Sequence, residues 1–288
     1  MIPNGILCLL TDYGTRDRFT GIIKGVAFSV DPDLKIIDLT HDIEPFNIAE
    51  AAYVLSDTIA FWPQGTVFAA VVDPGVGSGR KAIAALTLSG HIIICPDNGL
   101  LTIVHDDAGL REIREINTAL HRLPGTRLSS TFHGRDIFVY NAARVAARQL
   151  KFRELGLIYN GRPVRLDLPD PLLKKNKISG IITRIERPFG NLCTNIRADL
   201  FRKNQWNPGQ IFRVRVFSGN TPVLAVQAQF AGTFSKVPPG NPILYIDSSD
   251  RIGMARNRTP VKAGLNIKPG SAWRVDIERV EIKKTGRK

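Results

Sequence analysis

The stretch that decides the fold is VFAAVVDPGVGSGR, residues 67–80. Six consecutive apolar residues are typical of a strand that is buried on both faces. The carboxylate of Asp73 follows at once, and three glycines separate it from the guanidinium of Arg80. A tight turn explains Asp-Pro-Gly by itself, because proline fixes φ and glycine accepts positive φ. The alternative is a ligand loop, since functional side chains gather where buried parallel strands end.

Strand-like and helix-like segments alternate around this loop in the first half of the chain. The strand-like runs are GILCLLTD (5–12), LKIIDLT (34–40), GTVFAAVVD (65–73) and KAIAALTLSGHIIICPD (81–97). Apolar residues at helical spacing occupy 17–30 and 47–62, and residues 132–150 begin irregularly and become helical. This alternation predicts an α/β N-terminal domain with a mainly parallel sheet flanked by helices.

Polar loops follow three of the buried strands. They are Thr11-Asp12-Tyr13-Gly14, Asp73-Pro74-Gly75 and Pro96-Asp97-Asn98-Gly99. Each loop alone is explained by a turn. Because the carboxyl ends of parallel strands meet at one edge of a sheet, we expect the three together to form one floor of a pocket.

The second half of the chain has a different pattern. Residues 159–177 are rich in proline, glycine and charge, which is typical of a linker. Short alternating segments then follow, separated by turn residues, and they predict an all-β C-terminal barrel domain. We therefore divide the chain into an α/β domain at 1–160, a linker at 161–177 and a β-barrel domain at 178–288.

Composition limits the possible functions. The chain has 288 residues, of which 43% are hydrophobic, so it can bury a sizeable core. No apolar run approaches the roughly 20 residues that a membrane helix needs, and the N-terminus has no basic signal-peptide region. Cys8, Cys95 and Cys193 lie in separate apolar segments without metal or redox spacing. We expect a cytoplasmic protein with reduced thiols and no membrane partner.

Positive charge is concentrated in the second half. The formal net charge is +13, with −3 in residues 1–150 and +16 in residues 151–288. A basic barrel can bind nucleic acid, and the stretch FRVRVF offers Phe212 and Phe217 as stacking rings. A solvated surface explains the same charge, because apart from KKNK (174–177) and KKTGRK (283–288) the basic residues are scattered.

One constellation of residues can carry chemistry. No nucleotide-binding glycine motif, zinc spacing or GxSxG nucleophile motif is present in the sequence. Asp73 and Arg80 flank the glycine loop, and TFHGRD (131–136) supplies His133. An aspartate, an arginine and a histidine together can orient and polarise a water molecule. The structural alternative for His133 is a residue that caps the entry to a helix.

The loops together resemble a known family. The matching segments are 9–26, 37–55, 71–84, 96–102, 131–136, 189–196 and 245–257. They are similar to the S-adenosyl-L-methionine (SAM) hydroxide adenosyltransferases, also called adenosine-forming SAM hydrolases, which are relatives of the SAM-dependent fluorinase and chlorinase. The resemblance implies an N-terminal α/β domain, a C-terminal β-barrel and a homotrimer with SAM bound between subunits. It implies hydrolysis of SAM to adenosine and methionine without a cofactor or a metal.

The resemblance also implies roles for individual residues. Asp73, Arg80 and His133 fall on the triad that holds the water, and the halogenases differ at these positions, which argues against a halogenase. The positions implied to bind SAM are Asp12, Phe46, Glu186, Phe189, Asn191, Ser248, Arg256, Asn257 and Arg258. Asp12 takes the ribose hydroxyls, and Glu186 stands where the family usually has aspartate against the methionine amino group. A SAM-binding sensor with weak catalysis is a further alternative.

Overall fold

The structure is a computed structural model, which describes residues 2–126, 130–261 and 264–280. The chain divides into two compact units, residues 1–166 and residues 167–288. The basic tail at 283–288 lies outside the described residues. Each unit has its own hydrophobic core, so each is described by itself.

A six-stranded mixed sheet forms the centre of the N-terminal unit. Its strands are β1 (Ile6–Thr11), β2 (Lys35–Thr40), β3 (Val67–Val71), β4 (Ala82–Thr87), β5 (Ile92–Pro96) and β6 (Leu110–Glu115). The order is β2-β1-β3-β5-β4-β6. The first four strands in this order are parallel, whereas β4 pairs antiparallel with both β5 and β6. The prediction of an α/β domain with a mainly parallel sheet is confirmed, with an antiparallel pair at one edge.

Helices cover both faces of this sheet. They are α1 (Phe19–Val30), α2 (Ile48–Ile59), α3 (Thr102–Ala108), a π-helical segment (Gly134–Val139) and the helix that continues it, α4 (Tyr140–Ala146). Alternate residues of β1 point to opposite faces, as a strand requires. Leu7 and Leu9 share a core with α1 and α4, whereas Cys8 and Leu10 share the other core with α2.

The C-terminal unit is a closed β-barrel. Its elements are β7 (Leu172–Lys174), β8 (Lys177–Glu186), β9 (Asn191–Arg197), α5 (Ala198–Lys203), β10 (Ile211–Ser218), β11 (Thr221–Phe230), β12 (Pro242–Ile246), β13 (Arg251–Arg256) and β14 (Gly270–Arg279). The order is β14-β10-β11-β12-β13-β9-β8, and pairing of β14 with β8 closes the barrel. The short strand β7 pairs with β8, within the segment predicted as a linker. The predicted all-β barrel is confirmed.

The barrel core explains why Phe212 is not on the surface. Phe201, Trp206, Phe212 and Phe230 pack together with ring centroids 4.9–6.5 Å apart. Phe212 is fully buried among them. Aromatic pairs of this kind stabilise a core beyond the area that they bury. The ring is therefore a core residue and offers no surface for stacking a nucleotide base.

Candidate active site

Two of the three predicted loops line one cleft in the N-terminal unit. The cleft has a volume of about 290 Å³ and opens where β1 and β3 end. Its lining residues are Asp12, Tyr13, Phe19, Pro45, Phe46, Asp73, Val76, Thr131, Phe132, His133 and Gly134. Because β1 and β3 are adjacent and parallel, their carboxyl ends bring Asp12 and Asp73 to the same edge of the sheet.

The third predicted loop supports the cleft but does not line it. The Asp97 carboxylate accepts hydrogen bonds from the Tyr159 hydroxyl at 2.6 Å and the Val164 N–H at 2.8 Å. Asn98 donates from Nδ2 to the Val72 carbonyl at 2.8 Å. The prediction that all three loops share one pocket floor is wrong for this loop. Its Asn98 fixes the backbone directly before Asp73, and its Asp97 holds the segment around residues 159–164.

Asp73, Arg80 and His133 form one connected group. Arg80 donates from Nε to Asp73 Oδ1 at 2.7 Å and from Nη2 to Asp73 Oδ2. The same Nη2 lies 3.0 Å from Nδ1 of His133. The side chains of Asp73 and Arg80 are only 7% and 10% exposed. A bidentate carboxylate–guanidinium pair holds both side chains in a fixed geometry, and burial strengthens it.

The glycine loop folds so that Arg80 returns to Asp73. Val76 N–H donates to the Asp73 carbonyl and Ser78 N–H to the Gly75 carbonyl, which makes two consecutive turns. Gly77 has a φ of +79°, a conformation that residues with a side chain rarely adopt. The Arg80 guanidinium also lies over the Phe138 ring, 5.0 Å from its centroid. The loop thus carries a positioned ion pair as well as a turn.

Asp12 and Phe46 are joined at the other side of the cleft. The Phe46 N–H donates to Asp12 Oδ2 at 2.9 Å, and Phe46 has a φ of +68°. A phenylalanine in this backbone region is strained, and such strain tends to persist at functional sites. Its ring is 70% exposed although it is large and apolar. Burial raises the pKa of the Asp12 carboxyl, against the lowering effect of the Phe46 hydrogen bond.

His133 is kept uncharged by its surroundings. Burial lowers its pKa most, and the positive charges of Arg80 and Arg122 lower it further. Asp73 and Asp136 act in the opposite direction without reversing the shift. Desolvation and nearby cations both disfavour the imidazolium form. At neutral pH the ring is therefore a neutral hydrogen-bonding group.

This shift predicts a pH dependence of stability. The unfolded chain takes up a proton at His133 near the ordinary pKa of 6.5, but the folded protein does so only at lower pH. The free energy of unfolding therefore decreases as the pH falls through 6.5. The His133→Gln variant is expected to lose the part of this pH dependence that comes from His133. We expect the His133 ring resonance to titrate below 6.5 in NMR. The exposed His105, replaced in the same way, serves as the control, and a His133 midpoint at or above 6.5 contradicts this account.

The seven predicted residues of the C-terminal half line a single pocket. It has a volume of about 610 Å³, within the usual size of small-molecule sites. The predicted residues in its wall are Glu186, Phe189, Asn191, Ser248, Arg256, Asn257 and Arg258. They come from three places: the facing ends of β8 and β9 with the turn between them, the β12–β13 turn, and the end of β13 with the two residues that follow it. Phe189 is 64% exposed, so an apolar ring faces solvent here as Phe46 does in the N-terminal unit.

Hydrogen bonds within this pocket fix several of these side chains. Asn191 donates from Nδ2 to Glu186 Oε2 at 2.8 Å, and Arg184 donates to Glu186 Oε1 at 3.4 Å. The Glu186 carboxylate is thus held at both oxygens. Asn257 is buried, and its Nδ2 donates to the Val237 carbonyl at 2.7 Å. The amide nitrogen of Asn257 therefore fixes the side chain against the backbone of Val237.

Sequence reasoning missed several residues at both places. Tyr13 belongs to the first predicted loop but was not named as a site residue, and its ring lines the N-terminal cleft and packs against those of Phe19 and Phe132. Phe234 and Tyr245 line the C-terminal pocket with their ring centroids 5.1 Å apart. Tyr13 and Tyr245 lie inside the quoted motifs, so their position beside Asp12 and Ser248 was a usable signal. Phe234 belongs to no motif and could not be found this way.

The two aromatic rings predicted to stack on nucleic acid, Phe212 and Phe217, are not exposed for that role. Phe217 is only 9% exposed, and the guanidiniums of Arg274 and Arg215 lie 4.2 Å and 5.9 Å from its centroid. Arg215 also pairs with the carboxylates of Asp276 and Glu278. Single-strand binding needs exposed rings interleaved with basic residues. Neither Phe212 nor Phe217 meets that requirement.

Two further features are absent from the described part of the chain. No three histidine, cysteine, aspartate or glutamate side chains in it come together as a metal-binding cluster. None of its helices is long and apolar enough to cross a membrane.

Comparison with known proteins identifies the family. The N-terminal domain of the SAM hydroxide adenosyltransferases matches residues 7–156, and their C-terminal domain matches residues 180–274. The two matches follow each other in the same order and cover most of the chain. The chain belongs to the SAM hydroxide adenosyltransferase family. Its two family domains coincide with the two compact units.

Individual proteins are similar to large parts of the chain. An (R)-S-adenosyl-L-methionine hydrolase from Methanocaldococcus jannaschii is 36% identical over 67% of this chain and 68% of its own. A fluorinase from Actinoplanes sp. is 29% identical over 93% of this chain and 96% of its own. The crystal structure of an uncharacterized conserved protein from Thermotoga maritima has a TM-score of 0.83 and 34% identity, covering 95% of this chain and 100% of that one.

Proposed function

We propose that the protein hydrolyses SAM to adenosine and L-methionine by attack of water or hydroxide on C5′ of the ribose. The observation that carries this proposal is the buried Asp73–Arg80–His133 group at the edge of a cleft. The hydrolase from Methanocaldococcus jannaschii supports it, as do hydrolases from Salinispora arenicola and Thermus thermophilus, each 31% identical over 92% of this chain.

The reaction needs positioning more than strong acid–base chemistry. The water oxygen forms a bond to C5′ while the C5′–S bond breaks on the opposite side. The bonding pair goes to sulfur, so the sulfonium leaves as the neutral thioether of methionine, and the water proton passes to solvent. Holding the oxygen in line with the leaving group supplies on the order of 7 kcal/mol or more of the rate acceleration.

Each residue of the triad has a role in this reaction that follows from its charge. Arg80 provides the positive charge that stabilises a hydroxide-like oxygen in a site with little water. Asp73 holds the Arg80 guanidinium through two hydrogen bonds and so fixes where that charge lies. His133, kept neutral, supplies a hydrogen-bonding nitrogen beside Arg80. In this proposal Asp73, Arg80 and His133 are the catalytic residues.

The remaining predicted residues bind the two ends of SAM. Asp12 accepts hydrogen bonds from the ribose 2′- and 3′-hydroxyls, which suits a carboxylate facing a diol. Glu186 binds the methionine amino group. Ser248, Arg256, Asn257 and Arg258 contact the methionine carboxylate and the adenine edge. Phe46 and Phe189 are exposed rings that the substrate covers, which explains why such large apolar side chains face solvent.

We further propose a homotrimer in which SAM lies between the N-terminal unit of one subunit and the C-terminal unit of the next. The observation that favours it is the separation of the predicted contacts into two sets, one in each unit. Size-exclusion chromatography with light scattering is expected to give a mass near three times 31.8 kDa. A monomer that hydrolyses SAM at full rate contradicts this arrangement.

Halide transfer is the second candidate, because fluorinases are among the relatives. The Asp73 carboxylate argues against it, because a carboxylate can accept a hydrogen bond from the O–H of water or hydroxide, whereas a halide has no hydrogen to donate. Incubation of the protein with SAM in chloride and in fluoride buffers, followed by chromatography, tests both. Adenosine and methionine in every buffer support hydrolysis. A 5′-halo-5′-deoxyadenosine product refutes it, and binding without any product indicates a sensor.

Glu186→Gln is expected to weaken SAM binding more than it slows the chemistry. A charged hydrogen bond to the methionine amino group is lost, which raises KM by about 10- to 100-fold with kcat changed much less. Steady-state kinetics measure both constants. Asp199→Asn removes a partly buried carboxylate outside the pocket that pairs with Lys203 in the same unit, and it is the matched control. A fall in kcat at unchanged KM contradicts this role of Glu186.

A further inference from the structure

Both ring nitrogens of His133 face arginines. Arg80 Nη2 lies 3.0 Å from Nδ1, and Arg122 Nη2 lies 3.1 Å from Nε2. Arg122 comes from the loop after β6 and was not among the residues that the sequence singled out. Its place at the far side of the ring gives His133 two cationic neighbours on opposite edges.

The chemistry of imidazole makes these two contacts compete. A neutral ring has one N–H donor and one lone-pair acceptor, and a guanidinium can only donate. His133 therefore accepts a hydrogen bond from one arginine, and the N–H of its other nitrogen points toward the second. The imidazolium form accepts from neither and adds a third positive charge, which explains why the neutral ring is favoured.

Arg122 is held firmly in this position. Its Nη1 lies 3.5 Å from Asp136 Oδ2 and donates to the Thr126 carbonyl at 3.3 Å. The Leu123 N–H donates to the Asp136 carbonyl at 2.8 Å, which ties the loop to the π-helical segment. Asp136 is fully buried and also accepts from Arg135 at 2.6 Å. The Arg122 side chain is only 18% exposed.

Each tautomer gives one arginine an acceptor on the ring and turns an N–H toward the other arginine. With the proton on Nδ1, Arg122 donates to Nε2, and Arg80 still keeps both hydrogen bonds to Asp73. The Nδ1–H group and the Arg80 Nη2–H group are then two donors 3.0 Å apart. Two donors at this spacing suit a single oxygen that carries negative charge and accepts from both.

We propose that Arg122 is a positioning residue that selects the Nδ1–H tautomer of His133, so that His133 and Arg80 together donate to the attacking oxygen. The step rests on the proposed hydrolysis, which it deepens by assigning the nucleophile two donors. His133 then stabilises hydroxide and does not remove a proton from water. The charged groups that act on the ring are Arg80 and Asp73 after β3, Arg122 after β6, and Asp136 in the π-helical segment.

The tautomer can be read directly without any substrate. The protein is labelled with ¹⁵N-histidine, and among its five histidines the His133 signal is identified by its loss in His133→Gln. The ring ¹⁵N shifts at pH 7.5 are expected to show a protonated Nδ1 and an unprotonated Nε2. Arg122→Met removes the donor and is expected to move the proton to Nε2. Arg122→Lys has donors and no acceptor, so it keeps the Nδ1–H tautomer.

Two results overturn this assignment. One is a wild-type protein with the proton on Nε2, and the other is an unchanged tautomer in Arg122→Met. If Arg122→Met does not fold, the wild-type spectrum still decides, because a proton on Nε2 refutes the assignment by itself. These spectra are recorded without SAM and do not depend on turnover. The product assay tests the proposed hydrolysis separately.

Measurement of kcat for the same Arg122 variants tests whether the His133 tautomer matters for SAM hydrolysis. Arg122→Met is expected to lower kcat by about 10- to 100-fold, because His133 and Arg80 no longer hold the attacking oxygen between two donors. Arg122→Lys is expected to restore most of this loss together with the Nδ1–H tautomer. A kcat that falls equally in Arg122→Lys, with the tautomer retained, shows that Arg122 acts on the fold and refutes its role through His133.

Discussion

Asp73→Asn is expected to reduce kcat for SAM hydrolysis by about 10³-fold. The carboxylate holds Arg80 through Oδ1 and Oδ2, so the guanidinium is fixed at two points. Asparagine offers one oxygen, and its NH₂ group faces the arginine donors without an acceptor. Arg80 therefore loses the constraint that directs its charge toward the nucleophile.

The assay for this variant separates catalysis from binding. Adenosine formation by chromatography gives kcat and KM, and circular dichroism confirms folding. Because Asp73 acts on the nucleophile, KM is expected to change much less than kcat. Asp106→Asn breaks an exposed aspartate–arginine pair with Arg165 in the same unit and is expected to leave both constants unchanged. If kcat of the Asp73→Asn variant is within a few-fold of the wild-type value, the proposed catalytic role of the triad is refuted.

Gly134→Ala is expected to disrupt the cleft by overpacking. A Cβ at Gly134 would overlap the Tyr13 hydroxyl and lie 3.1 Å from Tyr13 Cζ. Tyr13 cannot withdraw easily, because the rings of Phe19 and Phe132 pack against it. Overpacking of this kind costs about 1–3 kcal/mol, which lowers Tm by roughly 3–10 °C. Differential scanning calorimetry measures the change, and kcat is expected to fall because His133 is the neighbouring residue.

A second substitution tests the cause of this effect. Tyr13→Phe removes the overlapping hydroxyl, so the double variant Tyr13→Phe/Gly134→Ala is expected to recover part of the lost Tm. Gly25→Ala is the matched control, because Gly25 is an exposed helical glycine with no atom within 4 Å of its Cβ position. Alanine there favours the helix and slightly raises Tm. Equal losses in the single and double variants would show that Tyr13 is not the obstacle.

The sequence predicted the architecture because its hydrophobic patterns are regular. The apolar runs at β1 and β3 and the alternating segments at β8 and β10 match strands within a few residues. Short elements were missed, since α3 and α5 have seven and six residues, too few for a helical period to be recognised. The antiparallel insertion of β4 between β5 and β6 depends on tertiary pairing, which no local pattern encodes.

The candidate site was predictable where motifs lie at strand ends. Asp12 and Asp73 follow neighbouring parallel strands, and the sheet brings them to one edge. Arg122 was not predictable, because it lies outside every motif and reaches His133 only through the folded loop after β6. Asp97 was misread for a similar reason, since the Tyr159 and Val164 groups that occupy its carboxylate lie more than 60 residues away.

Hydrolysis in ¹⁸O-labelled water tests the central claim most directly. Purified protein is incubated with SAM in H₂¹⁸O, and the products are examined by mass spectrometry. The account predicts one ¹⁸O atom in the 5′-oxygen of adenosine, unlabelled methionine as the second product, and loss of both products in Asp73→Asn. Homoserine with methylthioadenosine, or a product in which C5′ carries a halogen, would show that water does not attack C5′ and would contradict the account.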